Sequence, residues 1–198
     1  MNLDSLCDIS TGLTLRGKPA PSAAGKYVLL QLGDINPAGH INIESATKTD
    51  GDASYAKFVL RAGDLVFRGR GAGIGVAIVP HDGCNYVASA PLIVLRPYRD
   101  MVEPTFLARI LTSDLASAHF SKFTQGSIIT GIGIADLRTF DVPLPDMETQ
   151  KKIGDLAQLQ RLEQELITRL GKAKHHLINQ SIESLLVNNH TMKKAGVQ

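Results

Sequence analysis

Between residues 27 and 95 the chain alternates short apolar runs with clusters of turn formers. The segments 27–32 (YVLLQL), 58–60, 65–67, 76–79 and 92–95 are aliphatic or β-branched. Turn chemistry separates them: GDINPAGH at 33–40, TDGD at 49–52, AGD at 62–64 and HDGCN at 81–85. Apolar runs of this length between such residues predict strands. From Pro104 the period changes. Phe106, Leu107, Ile110, Leu111, Leu115 and Ala118 recur at three- and four-residue steps, which predicts a helix starting at Pro104 and breaking near residues 112–113. A glycine-rich, β-branched stretch follows, QGSIITGIGIADL at 125–137.

The segment 141–146 (DVPLPD) is a proline-punctuated exit, and Asp146 is placed to cap a following helix. From Met147 to about residue 187 there is no proline, and Leu156, Leu159, Leu162, Leu166, Leu170, Ala173 and Leu177 form one apolar stripe, widened by Ile167, Ile178, Ile182 and Leu185. A helix of about 40 residues is ~60 Å long, beyond what one small domain covers. The rest of the chain offers no comparable helix, so the stripe calls for another polypeptide. The expected organisation is a mixed, twisted, β-rich α+β domain over 1–146, a single long helix over 147–187 that pairs as a coiled coil, and a flexible tail over 188–198.

Composition changes this picture little. Hydrophobic residues make up 43% of the 198 positions, enough for one core. Tryptophan is absent and aromatics are 5%, which argues against base stacking on exposed rings as the main binding mode. Cys7 and Cys84 lie 77 positions apart; the spacing fits no compact zinc pattern, and two isolated buried thiols in a reducing compartment are expected. No apolar run approaches the ~20 residues of a membrane span, and no secretory leader is evident, so a soluble cytoplasmic protein is expected. Charge is divided unevenly. Residues 1–146 carry 13 Lys+Arg against 14 Asp+Glu, a balance of −1, and residues 147–198 carry 8 against 5, a balance of +3. A nucleic-acid face on the first part must therefore come from local clustering.

The most pointed motif is GRGAGIG at 69–75. It lacks the Lys-Ser/Thr ending of a phosphate-binding P-loop, and the VAIVP after it reads as a strand, not as the helix that a dinucleotide fingerprint requires. Glycine at 69, 71, 73 and 75 fits a tight hairpin, with Arg68 and Arg70 flanking Gly69. No GxSxG elbow occurs. The six histidines show no HxxxH or HExxH spacing, and no metal site is expected. No pair of carboxylates stands out for acid–base work, and the chain is expected to be non-catalytic.

Several segments in order carry a resemblance: LQLGDINPAGHIN at 30–42, VLRAGDLVFRGRGAGIGVAIV at 59–79, EPTFLARILTSDLASAHF at 103–120, and QGSIITGIGIADLRTFDVPLPDMETQKKIGDL at 125–156 before the long helix. This order resembles the specificity subunit of type I restriction–modification systems over nearly the whole chain. Such subunits hold two target recognition domains, each followed by a long helix; this sequence has one of each and is similar to a half-subunit. The resemblance implies that the domain reads one half of a split double-stranded DNA target, while the helix acts as spacer and as docking surface for adenine methyltransferase subunits, which join a restriction/translocase subunit. S-adenosylmethionine and ATP are then expected on those partners only.

Residues suited to reading DNA are those that offer charge or hydrogen bonds on exposed loops. They are Arg68 and Arg70 in the hairpin, Arg16 and Lys18 in the loop LRGKPAPSAAGK, and the polar run Thr124, Gln125, Ser127 and Thr130. The leucines of the stripe are expected to pair two copies into a homodimer. A coiled-coil scaffold or remnant specificity copy without DNA binding is the reading from a different class, and a glycine-loop enzyme is a third.

Overall fold

A computed structural model of the chain describes residues 1–71, 73–81, 83–124 and 131–195, with side chains described up to residue 184 except that of Thr124. Among the described residues there are seven strands: β1 (Cys7–Thr11), β2 (Tyr27–Leu30), β3 (Thr47–Thr49), β4 (Leu65–Arg68), β5 (Gly75–Ile78), β6 (Tyr86–Ala88) and β7 (Ile93–Pro97). The α-helices are α1 (Pro104–Leu111), α2 (Asp114–Thr124), α3 (Ile134–Arg138) and α4 (Met147–Ala195). One sheet has the order β1-β7-β4-β5 and is antiparallel throughout; the other has the order β3-β2-β6, with β2 and β6 parallel. The chain divides into two compact units, residues 1–157 and 158–198.

Stacked layers explain why the apolar runs are continuous. In β4, Leu65 and Phe67 face a core shared with Phe106, Leu107, Phe120 and Phe140 of the helical side. Val66, between them, faces a second core with Val28, Leu30, Tyr86 and Ala88 of the other sheet. Both faces of the four-stranded sheet are thus covered, so its inner strands have no polar side to show. A third cluster, Leu13, Tyr27, Leu29, Tyr55 and Val87, covers the far face of the smaller sheet. On the helical side the rings of Phe67, Phe120 and Phe140 pack edge-on or tilted, with centroids 6.1 and 5.4 Å apart.

The break expected near residues 112–113 is present. Thr112 ends α1, and the Ser113 hydroxyl accepts the Ala116 N–H to begin α2. Two other expectations need correction. The run 58–60 is not a strand: Tyr55–Phe58 forms a 3-10 turn, begun by Ser54 donating its N–H and hydroxyl to Asp52, and only an isolated bridge Val59–Val87 follows. Cys84 is exposed in the 81–85 turn, whereas Cys7 is buried as expected. The Cys7 thiol donates to the Leu3 carbonyl, and burial beside Asp4 and Asp8 pushes its pKa up to about 12, so it stays protonated.

Two fasteners set the strands and the helix root in place. At one end of the larger sheet Asp64, buried before β4, accepts both Arg96 Nε (2.9 Å) and Nη2 (2.6 Å) from β7 and the Arg61 N–H, while its carbonyl accepts the Val79 N–H just after β5. At the root of α4, Asp146 caps the helix through the Thr149 N–H and hydroxyl. One turn on, buried Gln150 accepts the Glu103 N–H and donates to the carbonyls of Met101 and Pro145. Gly154 lies against Thr105 so closely that no side chain fits.

Beyond the root, Leu159, Leu162, Leu166, Leu170 and Leu177 are 52–70% exposed in this single chain, and Leu156, within the first unit, is 67% exposed. The tail expected over 188–198 lies outside the residues whose side chains are described. No helix among the described residues is long and apolar enough to cross a membrane.

Candidate nucleic-acid interface

The hairpin predicted from the glycines joins β4 to β5, with Arg68 paired to Gly75 across its mouth. Gly71 has φ +82°, a conformation that a side chain rarely tolerates. The hairpin is built into two neighbours. A turn at 36–40 closes on itself through the Asn36 N–H to the His40 carbonyl (3.1 Å) and the His40 N–H to Asn36 Oδ1 (2.9 Å). Gly75 lies flat against the Asn36 carbonyl, where a Cβ would collide. On the other side the Ile132 N–H donates to the Gly69 carbonyl at 3.0 Å, and Gly131 leaves room for the aliphatic stem of Arg70. Three stretches distant in sequence (36–40, 69–75 and 131–132) therefore meet at one end of the larger sheet.

The two arginines occupy different environments. Arg68 is half-buried, donating Nε–H to the Arg70 carbonyl (3.1 Å) and Nη1–H to the Ile35 carbonyl (2.8 Å). Arg70 is exposed, and its guanidinium makes no hydrogen bond or ion pair among the described residues.

Arg16 and Lys18 are also exposed but stand at a second locus. They line an open groove of about 720 Å³ with Thr11, Thr14, Asp52, Ser54, Tyr55 and Phe58. The Asp52 carboxyl is held below its usual range by the Ser54 hydroxyl and N–H, with a smaller contribution from the Arg16 charge. Register relates the two loci: Thr11 and Phe67 both pair with Ile93, so β1 and β4 finish at the same end of the sheet with β7 between them. Two strand spacings are ~10 Å. Of the polar run, Thr124 closes α2, and Gln125, Ser127 and Thr130 lie outside the described residues. The turn at 36–40 was legible as a turn, but nothing in its sequence marks it as the hairpin's neighbour.

The class defined is a layered α+β unit with polar turns at one sheet end, followed in the chain by a long helix. The particular family follows from comparison. The model of the type I restriction modification DNA specificity domain matches residues 1–173, and the chain belongs to this family. It is 29% identical over 157 residues to the type I restriction enzyme HindI specificity subunit of Haemophilus influenzae, covering 77% of this chain and 33% of that protein. Its fold is shared with the HsdS subunit from Thermoanaerobacter tengcongensis (TM-score 0.61, 20% identity, 86% of this chain and 43% of that one). It is shared too with the type I restriction–modification S subunit from M. genitalium (TM-score 0.55, 18% identity, 79% and 37%). The chain thus spans between a third and a half of the length of these relatives. Specificity subunits are non-catalytic, in keeping with the expectation from sequence.

Proposed function

We propose that this chain reads one half of a split double-stranded DNA target for a type I restriction–modification system in the cytoplasm. The observation that carries this reading is the meeting of the turns at 36–40, 69–75 and 131–132 at one sheet end, with exposed Arg70 among them. Residues 1–146 are the recognition domain in this reading, and Arg16 and Lys18, exposed at the second locus, suit phosphate contacts that fix register. Thr124, Gln125, Ser127 and Thr130 suit base edges, being neutral donors and acceptors.

Residues 147–187 serve as spacer and docking helix, and 188–198 as a tail. Two copies pair through Leu156, Leu159, Leu162, Leu166, Leu170 and Leu177 in an antiparallel coiled coil. The symmetry of such a pair demands a palindromic split target. Adenine methyltransferase subunits and a restriction/translocase subunit bring S-adenosylmethionine and ATP. They also complete the grip on DNA, because a recognition domain of charge −1 releases few counterions by itself.

The test is to purify the chain with its adenine methyltransferase subunit and map the methylated adenines. A split, palindromic target bound in a salt-dependent way is expected. A target with unlike halves would replace the homodimer by a pair of different half-subunits. Assembly without sequence-selective methylation would leave a scaffold or remnant copy.

A further inference from the structure

We infer that Arg68 and Arg70 divide their work at the DNA: Arg70 meets the phosphate backbone, and Arg68 is a positioning residue that splints the hairpin to the 36–40 turn. The inference rests on the reading of this sheet end as the DNA face. Sequence spacing alone treats the two arginines as equals, one on each side of Gly69, and the geometry separates them.

The guanidinium of Arg68 is a planar fork whose donors point in fixed directions. One tine holds the carbonyl of Arg70 and the other holds the carbonyl of Ile35, 33 positions away in the chain. Swinging the fork towards a phosphate would break both bonds and abandon two carbonyls that have no other described donor. Gly71 stands close enough to Arg68 Nη2 that a side chain there would crowd it, so the hairpin backbone is wrapped around this guanidinium. A lysine supplies the same charge but is a single point and cannot bridge two carbonyls in one plane.

Arg70 has the opposite arrangement. Its backbone carbonyl is the one Arg68 holds, its stem lies along Gly131, and its charged end is exposed. The backbone that carries the outward cation is thereby fixed by the inward one, and Arg68 acts on DNA through the placement of Arg70. A contact made by a preorganised side chain loses less conformational freedom on binding.

The experiment uses the full chain assembled with its adenine methyltransferase subunits, and sheared double-stranded genomic DNA across a series of KCl concentrations. R70A is expected to weaken binding about tenfold and to lower the slope of log affinity against log salt by about 0.9, the value for one lost phosphate contact. R68A and R68K are expected to weaken it alike, by about threefold to tenfold, and neither is expected to weaken it further in the R70A background, because the effect passes through Arg70.

R68K binding like wild type, or additive losses in the double variants, would make Arg68 a second DNA contact and overturn the division. Unchanged affinity and slope in R70A would instead remove the hairpin from DNA and overturn the underlying reading with it. A measurement on the unaltered protein covers the case in which R68A does not fold. The arginine Nε–H resonance of Arg68 is expected to exchange slowly with water and to stay in place when DNA is added, while that of Arg70 exchanges fast and shifts. Shifts of both, or of Arg68 alone, would overturn the proposal.

Discussion

The same amino acid behaves in opposite ways in the two compact units. Within residues 1–157, Leu29, Leu65, Leu107 and Leu137 have no exposed surface, whereas Leu159, Leu166 and Leu170 in residues 158–198 are 63%, 55% and 70% exposed. Polar side chains divide similarly. Gln150 in the first unit ties together three backbone positions up to 49 residues away. In the second, the described side-chain bonds include local pairs four places apart: Thr168 with Gln164, Arg169 with Glu165, Asn179 with His175 and Ser181 with Leu177. The first unit contains the partners of its core side chains, with Leu156, where the stripe begins, as an exposed exception. The second satisfies its backbone as a helix but leaves its apolar stripe in water, and local pairs of this kind contribute only a few tenths of a kcal/mol each. Stability of the first unit is a property of the chain, and stability of the second is a property of whatever covers it.

The largest expected effect tests the second half of that statement. Leu166→Asp with Leu170→Asp places two charges on the stripe of each copy, and each leucine buried on pairing is worth roughly 1.5–3 kcal/mol. Self-association measured by sedimentation should weaken by about a thousandfold or more, while the thermal midpoint of the first unit, followed by near-ultraviolet circular dichroism of its tyrosines, should not move. Wild-type protein that remains monomeric at tens of micromolar would refute pairing without a partner.

A smaller effect belongs to the first unit. Gln150→Ala leaves the Glu103 N–H and the carbonyls of Met101 and Pro145 without their described side-chain partner. Loss of buried hydrogen bonds of this kind costs about 1–3 kcal/mol, which urea denaturation should report, with self-association through the stripe unchanged. A cost near zero would mean that the close packing of Gly154 on Thr105, with Ile153 set against the core beside it, holds the root.

The smallest effect is electrostatic. The Asp146 carboxyl lies below its ordinary value because the Thr149 N–H and hydroxyl donate to its charged form. A depressed pKa stabilises the fold above the unfolded value of about 3.9 and loses that contribution as pH falls through the folded value. The thermal midpoint of wild type should therefore fall more steeply than that of Asp146→Asn as the solution is acidified below about pH 4. Parallel curves would show that the cap adds nothing at the root.

Legibility in the sequence tracked burial for most strands, but β6 (Tyr86–Ala88), buried throughout, was missed because three residues after a turn are too short to stand out. The runs that became β2, β4 and β5 could be read because both sides of each strand face protein, leaving uninterrupted apolar letters. The strands β1 (CDIST) and β3 (TKT) escaped notice because they alternate or turn polar side chains outward over only five and three residues. The break between α1 and α2 was visible because Thr112 and Ser113 interrupt a clear period. The 3-10 turn at Tyr55–Phe58 was not, since its apolar letters resemble a strand and its cause is a local bond from Ser54 to Asp52. At the interface, glycine spacing revealed the hairpin. The bond from Arg68 to Ile35 could not be read, because one sequence carries no sign of which carbonyl a guanidinium will meet 33 residues away.

The larger sheet is fastened at the end opposite the turns at 36–40 and 69–75. Asp64 gathers Arg61, Arg96 and Val79 there, and so holds the start of β4, the last residues of β7 and the exit of β5 in register. The turns at 36–40 and 69–75 meet at the far end, so the fastening at Asp64 does not pass through them. Such a frame leaves exposed turn positions free to change while the strands keep their register. In the reading proposed above, a change confined to exposed turn residues such as Arg70 alters the DNA address while every buried residue stays as it was.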